Sequence, residues 1–554
     1  MARPLEPRIR ERATIIAELL LETTAVRDRT VLAVEVARVV DAADLDAALA
    51  SLDRALEHVD ADDAILPELR ALRASVLESA RVVSLPAAAV AAAPRALASR
   101  PMAALRGPTV HAGFAVSDRA VPLLAALSLG QSARAPRGDL GVAHAMLRPI
   151  ARELLDDVGA LGLLRAPLPN QAWGEAVGFE ERLLAGVDAL ASLTETTTTG
   201  PGLDVLRVAL EHALDWPVPE PARIFALALL LSLSRSYAAL AALTSLARTA
   251  DERTTAPLVA AVALGAHPDL DRFVRGRILD ETRPAQLALW LEVARRRRVV
   301  PPDALDLLSH PDERVAVAAA RASAFLPPEL AAAELVGRLG AESVASVAAA
   351  SSLSVFGAQA GPQHLRQLVN RAVAAEDPEV RTSEVVATAA LTLAVCGDPR
   401  DANLFARLSE SEPGFGPLLA WHGHPSFVAL LLARARASAS EVERRVHLSP
   451  LARMVVPSDR LAEADEAEIL ARAGDLASST ATRLRAGEPY RLEHSLADLA
   501  RPGSLSDARR TVWLEASIAA RRPIPVDVDD WVFRQRETLD GLFTKAHVTK
   551  ESIA

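Results

Sequence analysis

The chain has 554 residues; half are hydrophobic but only 3% aromatic, and 36 are proline, so its apolar material is chiefly Ala, Leu and Val. That mixture suits many closely packed helices with proline-marked starts and disfavours a β protein, which would want more Tyr, Phe, Ile and Thr. With 61 basic against 71 acidic residues the formal charge is −10, which argues against a general nucleic-acid coat but leaves room for a local basic groove. The single cysteine, Cys396, has no internal disulfide partner and fits a reducing, cytoplasmic setting.

In chain order, the opening MARPLEPRIRERATIIAELLL spreads charges through its first turns and lacks a cleavage pattern after an apolar stretch, so no signal peptide is expected. Residues 1–83 read as a helical region, with Leu45, Leu49, Leu52 and Leu56 on one stripe. Residues 84–106 (SLPAAAVAAAPRALASRPMAALR) are interrupted by Pro86, Pro94 and Pro101 and predict an Ala/Pro-rich linker. A middle helical region, 107–216, carries predicted helices over Leu147–Leu164 and Glu180–Leu193. It is broken at Thr194–Gly202, whose β-branched polar run does not continue a helix cheaply. The run Ile224–Leu233 is too short to cross a bilayer and predicts a buried helix, so no membrane span is expected.

From 217 to 486 the text becomes repetitive. VVPPDALDLL at Val299–Leu308 and FLPPELAAAEL at Phe325–Leu335 make Pro301 and Pro327 the starts of equivalent helices. Asp377-Pro378-Glu379-Val380-Arg381 sets a capping carboxylate before a proline at the first helical position, where the missing N–H costs nothing. Val385, Ala389, Leu393 and Cys396 follow at helical spacing, Gly397 closes the helix, and Asp398-Pro399 opens the next, which carries Leu404 and Leu408 inward. The same grammar recurs at Asp251-Glu252-Arg253, Glu281-Thr282-Arg283-Pro284, His310-Pro311-Asp312-Glu313-Arg314 and near Gly340–Val344. Helical hairpins recurring at roughly thirty residues predict a stack, because one hairpin alone cannot bury its apolar face.

The segment DPEVRTSEVVATAALTLAVCGDPRDANLFARL resembles a HEAT-type repeat of the short bacterial kind, most strongly over Pro302–Leu432 and more weakly out to Pro221 and Gly487. The resemblance implies an all-α protein: a HEAT-like α–α superhelix, or solenoid, with an N-terminal helical region and a C-terminal capping tail at 487–554. It implies action by binding and does not specify the ligand. The tail is similar in layout to those of bacterial HEAT-repeat proteins, some associated with contractile (type VI) secretion clusters.

Several residue clusters offer candidate sites, and each has a plainer structural role beside it. His422-Gly423-His424 offers two metal ligands at most and reads better as a turn equivalent to Gly397-Asp398-Pro399. Some HEAT-like proteins are di-iron hydroxylases using His-Glu pairs, but none of the 12 histidines precedes a Glu; His58, His212 and His494 follow one instead. Asp156-Asp157 and Asp529-Asp530 are adjacent and read as solvated or capping residues. Arg295, Arg296, Arg297 and Arg298 offer a phosphate-binding strip, against the ordinary reading of cations at a helix C-terminus. Trp513, Trp531 and Phe533 lie beside arginines beyond the repeats, a composition found at binding hot spots; the alternative has both tryptophans sealing the last repeat.

The expectation is a non-catalytic adaptor whose concave face holds another protein, with no cofactor or metal and with Trp513, Trp531, Phe533 and Arg295–Arg298 as partner-binding residues. A nucleic-acid-binding solenoid would need Arg275, Arg277 and the Arg295–Arg298 run to converge on one groove. A HEAT-like lyase acting on a bound prosthetic group would need a deep pocket with converging polar groups.

Overall fold

The computed structural model describes residues 13–14, 36, 39, 45–57, 69, 72, 107–118, 120–128, 142–166, 171–195, 202–215, 220–340, 342–458, 460–461, 463–501, 503–504 and 506–551. The expected linker at 84–106, the joint at 216–219 and most of the Thr194–Gly202 joint lie outside the described residues. Two units are formed, Met1–Ala104 and Leu105–Ala554. In the first, α1 (Leu45–Glu57) buries Ala48, Leu52 and Ala55, one turn apart, close to the stripe that its leucines predict.

Among its described residues the second unit is all-α apart from one short hairpin and an isolated bridge between His111 and Ser234. It begins with α2 (Val121–Ser128), α3 (Val142–Leu164), α4 (Ala176–Leu193) and α5 (Val205–Leu214). Next come α6 (Pro221–Leu233), α7 (Tyr237–Thr249), α8 (Glu252–Leu264), α9 (Leu270–Asp280) and α10 (Pro284–Arg297), then a 3₁₀ helix over Pro302–Ser309. The chain continues with α11 (Glu313–Ser323), α12 (Pro328–Val336), α13 (Val344–Val355), α14 (Ala360–Ala374), α15 (Pro378–Thr382) and α16 (Glu384–Cys396). After these stand α17 (Ala402–Ser411), α18 (Gly416–His422), α19 (Ser426–Ala437), α20 (Glu441–Val455) and α21 (Glu466–Leu476). A hairpin of β1 (Leu484–Arg485) and β2 (Glu488–Pro489) precedes α22 (Leu492–Ala500), α23 (Ser506–Ala520) and α24 (Val532–Glu551).

The starts follow the capping grammar. The Asp251 side chain accepts from the Thr254 N–H at 2.9 Å while the Asp251 N–H donates to Thr254 Oγ1, a reciprocal box that satisfies two orphan donors of α8. Asp312, Asp377 and Asp398 each accept from the N–H two residues on. Gly397 and Gly423 close α16 and α18 at φ of 65° and 71°, the left-handed cap that glycine adopts at little cost, so the two turns are equivalent. Pro301 and Pro327 both stand as N-caps, but the element after Pro301 winds as 3₁₀ where its counterpart is α. His310-Pro311 ends it after eight residues, and the tighter helix is used in such short pieces.

Helices α3, α6, α8, α10, α11, α13, α16, α18 and α20 form a first row, each packed on the next. The elements between them, among them α9, the 3₁₀ helix, α12, α14, α17 and α19, pack on its members from outside the succession. Small side chains permit the close row: Ala318, Ala319, Ala320 and Ala322 of α11 and Ala348, Ala349 and Ala350 of α13 are all buried. The run Ile224–Leu233 lies in α6, buried throughout, and among the described residues no helix is long and apolar enough to cross a membrane.

The chain then turns back. Helix α23 packs on α13 and α16 of the first row, and α24 packs on α4 and α22. Between them residues 521–531 run across α8 and α10, so the row carries the protein's own C-terminal segment.

Candidate functional site: the seam beneath the C-terminal segment

Helix α10 ends where Arg298 takes a left-handed conformation, φ 58°, and Pro301 and Pro302 prevent further turns. Its four arginines do four different things. Arg295 makes a two-pronged pair with Glu292 one turn back, at 2.8 and 2.6 Å. Arg296 reaches the returning segment, donating to Asp527 Oδ2 at 3.4 Å and to the Asp529 carbonyl at 2.9 Å. Arg297 binds Asp271 of α9 at 2.6 Å and donates to the carbonyls of Ala263 and Gly265, capping the C-terminus of α8. Arg298 places its guanidinium 5.9 Å from the Phe325 ring centre.

The segment R-R-P-I-P-V-D-V-D-D-W is stiffened by Pro523 and Pro525 and bent on itself: the Val526 N–H donates to the Ile524 carbonyl at 2.8 Å and the Asp530 N–H to the Asp527 carbonyl at 3.2 Å. Ile524 and Val526 are buried in the hydrophobic core around α16 and α18, and Val528 packs against it. Asp527 and Asp529 fall on the opposite side, toward Arg296 and Arg510. Burial opposes ionisation of Asp529, but the guanidinium groups of Arg296 and Arg510 outweigh it and hold the carboxyl below its ordinary range. At Asp530 burial wins over Arg534 and the carboxyl is pushed up. The pair Asp529-Asp530 is therefore half-buried and engaged with arginines, where the sequence reading placed it in solvent or at a cap.

The end of the segment is anchored most firmly. Trp531 is fully buried, its Nε1–H donates to the Leu264 carbonyl at 2.9 Å, and Arg165 stands 5.2 Å over its ring. Arg165, itself buried, donates to Glu180 at 2.7 Å and to the carbonyls of Asp529 and Asp530 at 3.2 and 2.8 Å. Glu180 also accepts from the Val532 N–H at 2.9 Å; burial pushes its carboxyl up against the pull of Arg165. Phe533 packs half-buried beside Trp531 on the same core. Trp513, on α23, is half-buried; its Nε1–H donates to the Ile524 carbonyl at 3.0 Å and its ring stacks on Phe325, 6.0 Å between centres.

The proposed partner-binding residues thus lie along one seam, each engaged by other parts of the chain. Neither tryptophan seals the last repeat: Trp531 meets α8 and Trp513 meets the loop after α11. Three cavities follow the seam. One of about 240 Å³ lies between α10, α11, α13 and Trp513. A second of about 370 Å³ is lined by Arg296, Arg297, Arg298 and Phe533. A third of about 480 Å³ lies between Arg165, Trp173, Phe225 and Arg509. Arg275 and Arg277 take no part: Arg275 donates to the Val299 carbonyl and Arg277 to Asp280.

A second anchor fixes the other flank. Arg485, buried in β1, pairs with Asp498 at 3.0 Å and lies 3.6 Å from Glu515 of α23, which also bonds Arg483 and accepts from Ser495 Oγ at 2.7 Å. The hairpin turn places Ala486 and Gly487 at φ of 56° and 83°, the two left-handed positions of a tight two-residue turn.

His422 is buried at the end of α18, donating through Nε2 to the Asp398 carbonyl at 3.0 Å, and burial with Arg483 nearby lowers its pKa to about 4. His424 Nδ1 accepts from the Ser426 N–H. The pair therefore joins two neighbouring turns. Of the Glu-preceded histidines, His212 pairs with Asp156, and His494 takes the Arg491 N–H; the side chain of His58 lies outside the described residues. Among the described residues no group of three or more His, Cys, Asp or Glu side chains is placed to hold a metal.

Sequence reasoning missed Arg165, Glu180, Arg509 and Arg510 altogether. The one signal available was the acid–apolar alternation of PIPVDVDDW. No protein-family model, curated protein or solved structure matches the chain.

Proposed function

We propose that the protein is a non-catalytic scaffold for protein–protein interaction, built as a HEAT-like superhelix from about Pro221 to Ala486, whose first row holds proline-containing, acidic, aromatic-ended peptide segments. What carries this reading is the seating of 523–531. A proline-stiffened, turn-containing segment is held by arginines that bind its carbonyls and acids, and a buried tryptophan anchors its end. Backbone recognition of this kind gives affinity, and the alternate side-chain seats give selectivity. In this conformation the row is occupied by the protein's own segment, so a partner segment competes with it.

The test is competition in the full-length chain. A fluorescent peptide of sequence PIPVDVDDWVF is expected to bind poorly to the unaltered protein and at least about tenfold more tightly to the Trp531→Ala variant, whose own segment is loosened, one decade corresponding to about 1.4 kcal/mol. A purified host protein that binds the variant should be displaced by the same peptide. Equal, unsaturable binding to both proteins would remove the proposal.

A further inference from the structure

The cavity of about 240 Å³ holds an unused charge. Five arginines and two aspartates line it: Arg295, Arg296, Arg298, Arg321 and Arg510 against Asp527 and Asp529. Three of the arginines are taken. Arg295 is paired with Glu292, Arg296 with Asp527, and Arg510 with Asp529 at 3.1 Å. Asp527 is further occupied by the Asp529 N–H at 3.2 Å. Among the described residues, Arg298 and Arg321 form no ion pair; Arg321 is exposed, and Arg298 is half-buried with its guanidinium 5.9 Å from the Phe325 ring centre. Burial depresses its pKa against the pull of Asp527 and Asp530, as expected of a cation short of a counter-charge.

The rest of the wall is apolar. Phe325 and Trp513 stack with their planes 25° apart, and Ala348, Val355, Leu514 and Val526 complete the lining. Hydroxyls are scarce and mostly committed: Ser352 Oγ donates to the Ala320 carbonyl, and Ser351 pairs with Thr392. A largely apolar seat with two guanidinium groups outside any ion pair selects a molecule that carries both parts, since a bare anion gains nothing from the walls and a neutral apolar body leaves the arginines unpaired.

We infer that this cavity binds a small carboxylate with an apolar body, its carboxylate on Arg298 and Arg321 and its body between Phe325, Trp513 and Ala348. The site is separate from the seat of Trp531 and needs no displacement of the C-terminal segment. It adds a small-molecule ligand to a protein otherwise read as a scaffold.

Phenylacetate is a suitable probe, with phenethyl alcohol supplying the body without the charge and acetate the charge without the body. Titrated into the full-length protein, phenylacetate should bind saturably at one site with a change in tryptophan fluorescence, and at least about tenfold more tightly than either control, as a charge-assisted bond implies. Arg298→Gly removes the guanidinium while relieving the left-handed backbone, so the variant should fold and should lose about tenfold in affinity. Ala348→Leu, which fills the seat, should abolish binding, and Trp513→Phe should remove the fluorescence signal while calorimetry still detects the ligand. The inference is overturned if phenylacetate does not saturate, if phenethyl alcohol binds as well, or if Arg298→Gly, folded by its thermal transition, binds unchanged.

Discussion

At Asp398 and at Glu180 the same chemical group does two different jobs. Asp398 caps a helix start inside one turn, accepts from an N–H two residues on, and keeps company with Arg366 and Arg400 at the surface. Glu180 is buried, and its partners lie far apart in the chain, Arg165 in the turn just after α3 and Val532 at the start of α24. Exposed capping interactions are worth about 1 kcal/mol and repeat along the row, whereas a buried charge that loses its partner costs several. The turns are therefore held by many small, local, redundant terms, and the seam by a few large ones.

That contrast is sharpest under mutation. Removing one partner at the seam by Glu180→Ala strands Arg165 in a buried site and is expected to cost about 3–5 kcal/mol in urea unfolding, with protease sensitivity rising first around 521–535. Pairing it with Arg165→Met should recover much of the loss, because the double variant no longer buries an unpaired charge. A loss below about 1 kcal/mol for the single change would mean the seam is not closed by this pair.

Acid probes the turns in the same way. The imidazole of His422 titrates near 4 when folded, below its ordinary value of 6.5, so between those values the unfolded chain takes up a proton that the folded chain does not. Stability from this group is complete above pH 6.5 and falls as the pH drops toward 4. The total is at most about 3.5 kcal/mol, at about 1.4 kcal/mol per pH unit. His422→Gln should flatten that limb of the stability profile; an unchanged slope would locate the acid sensitivity elsewhere.

The smallest effect belongs to a single cap. Gly397→Ala forces a side chain into a left-handed position and sets its Cβ 2.7 Å from Arg483 Cδ. It should cost about 1–2 kcal/mol, measured as a lower thermal midpoint with no change in the seam. A larger loss would show that this turn communicates with Glu515 through Arg483.

What the sequence makes legible follows the same division. Asp251, Asp312, Asp377 and Asp398 announce their helices because a cap acts over two or three residues, and the left-handed glycines at 397 and 423 announce the ends. The burial of Leu404 and Leu408 follows from helical spacing alone. Arg295 through Arg298 were visible as a cluster, but not their four separate tasks, because those are set by Glu292, Asp527, Asp271 and Phe325 on four different elements. The partners of Arg165 include two backbone carbonyls, which leave no trace in side-chain pattern, and they lie more than 360 positions away. The 3₁₀ winding after Pro301 escaped for a smaller reason: a proline N-terminus fixes where a helix starts and leaves its pitch to length and packing.

The distance between Arg165 and Asp530, 365 positions, has a consequence for biosynthesis. At about 5–20 residues per second, Arg165 leaves the ribosome about 20–70 s before the residues whose carbonyls bind it and whose side chains cover it. Once α8 is complete, and until residue 531 arrives, the future berth of Trp531 is an uncovered apolar hollow beside the Arg165–Glu180 pair. A nascent chain in this condition is a natural client for chaperones, and slowing translation just upstream of codon 521 should lengthen that dependence.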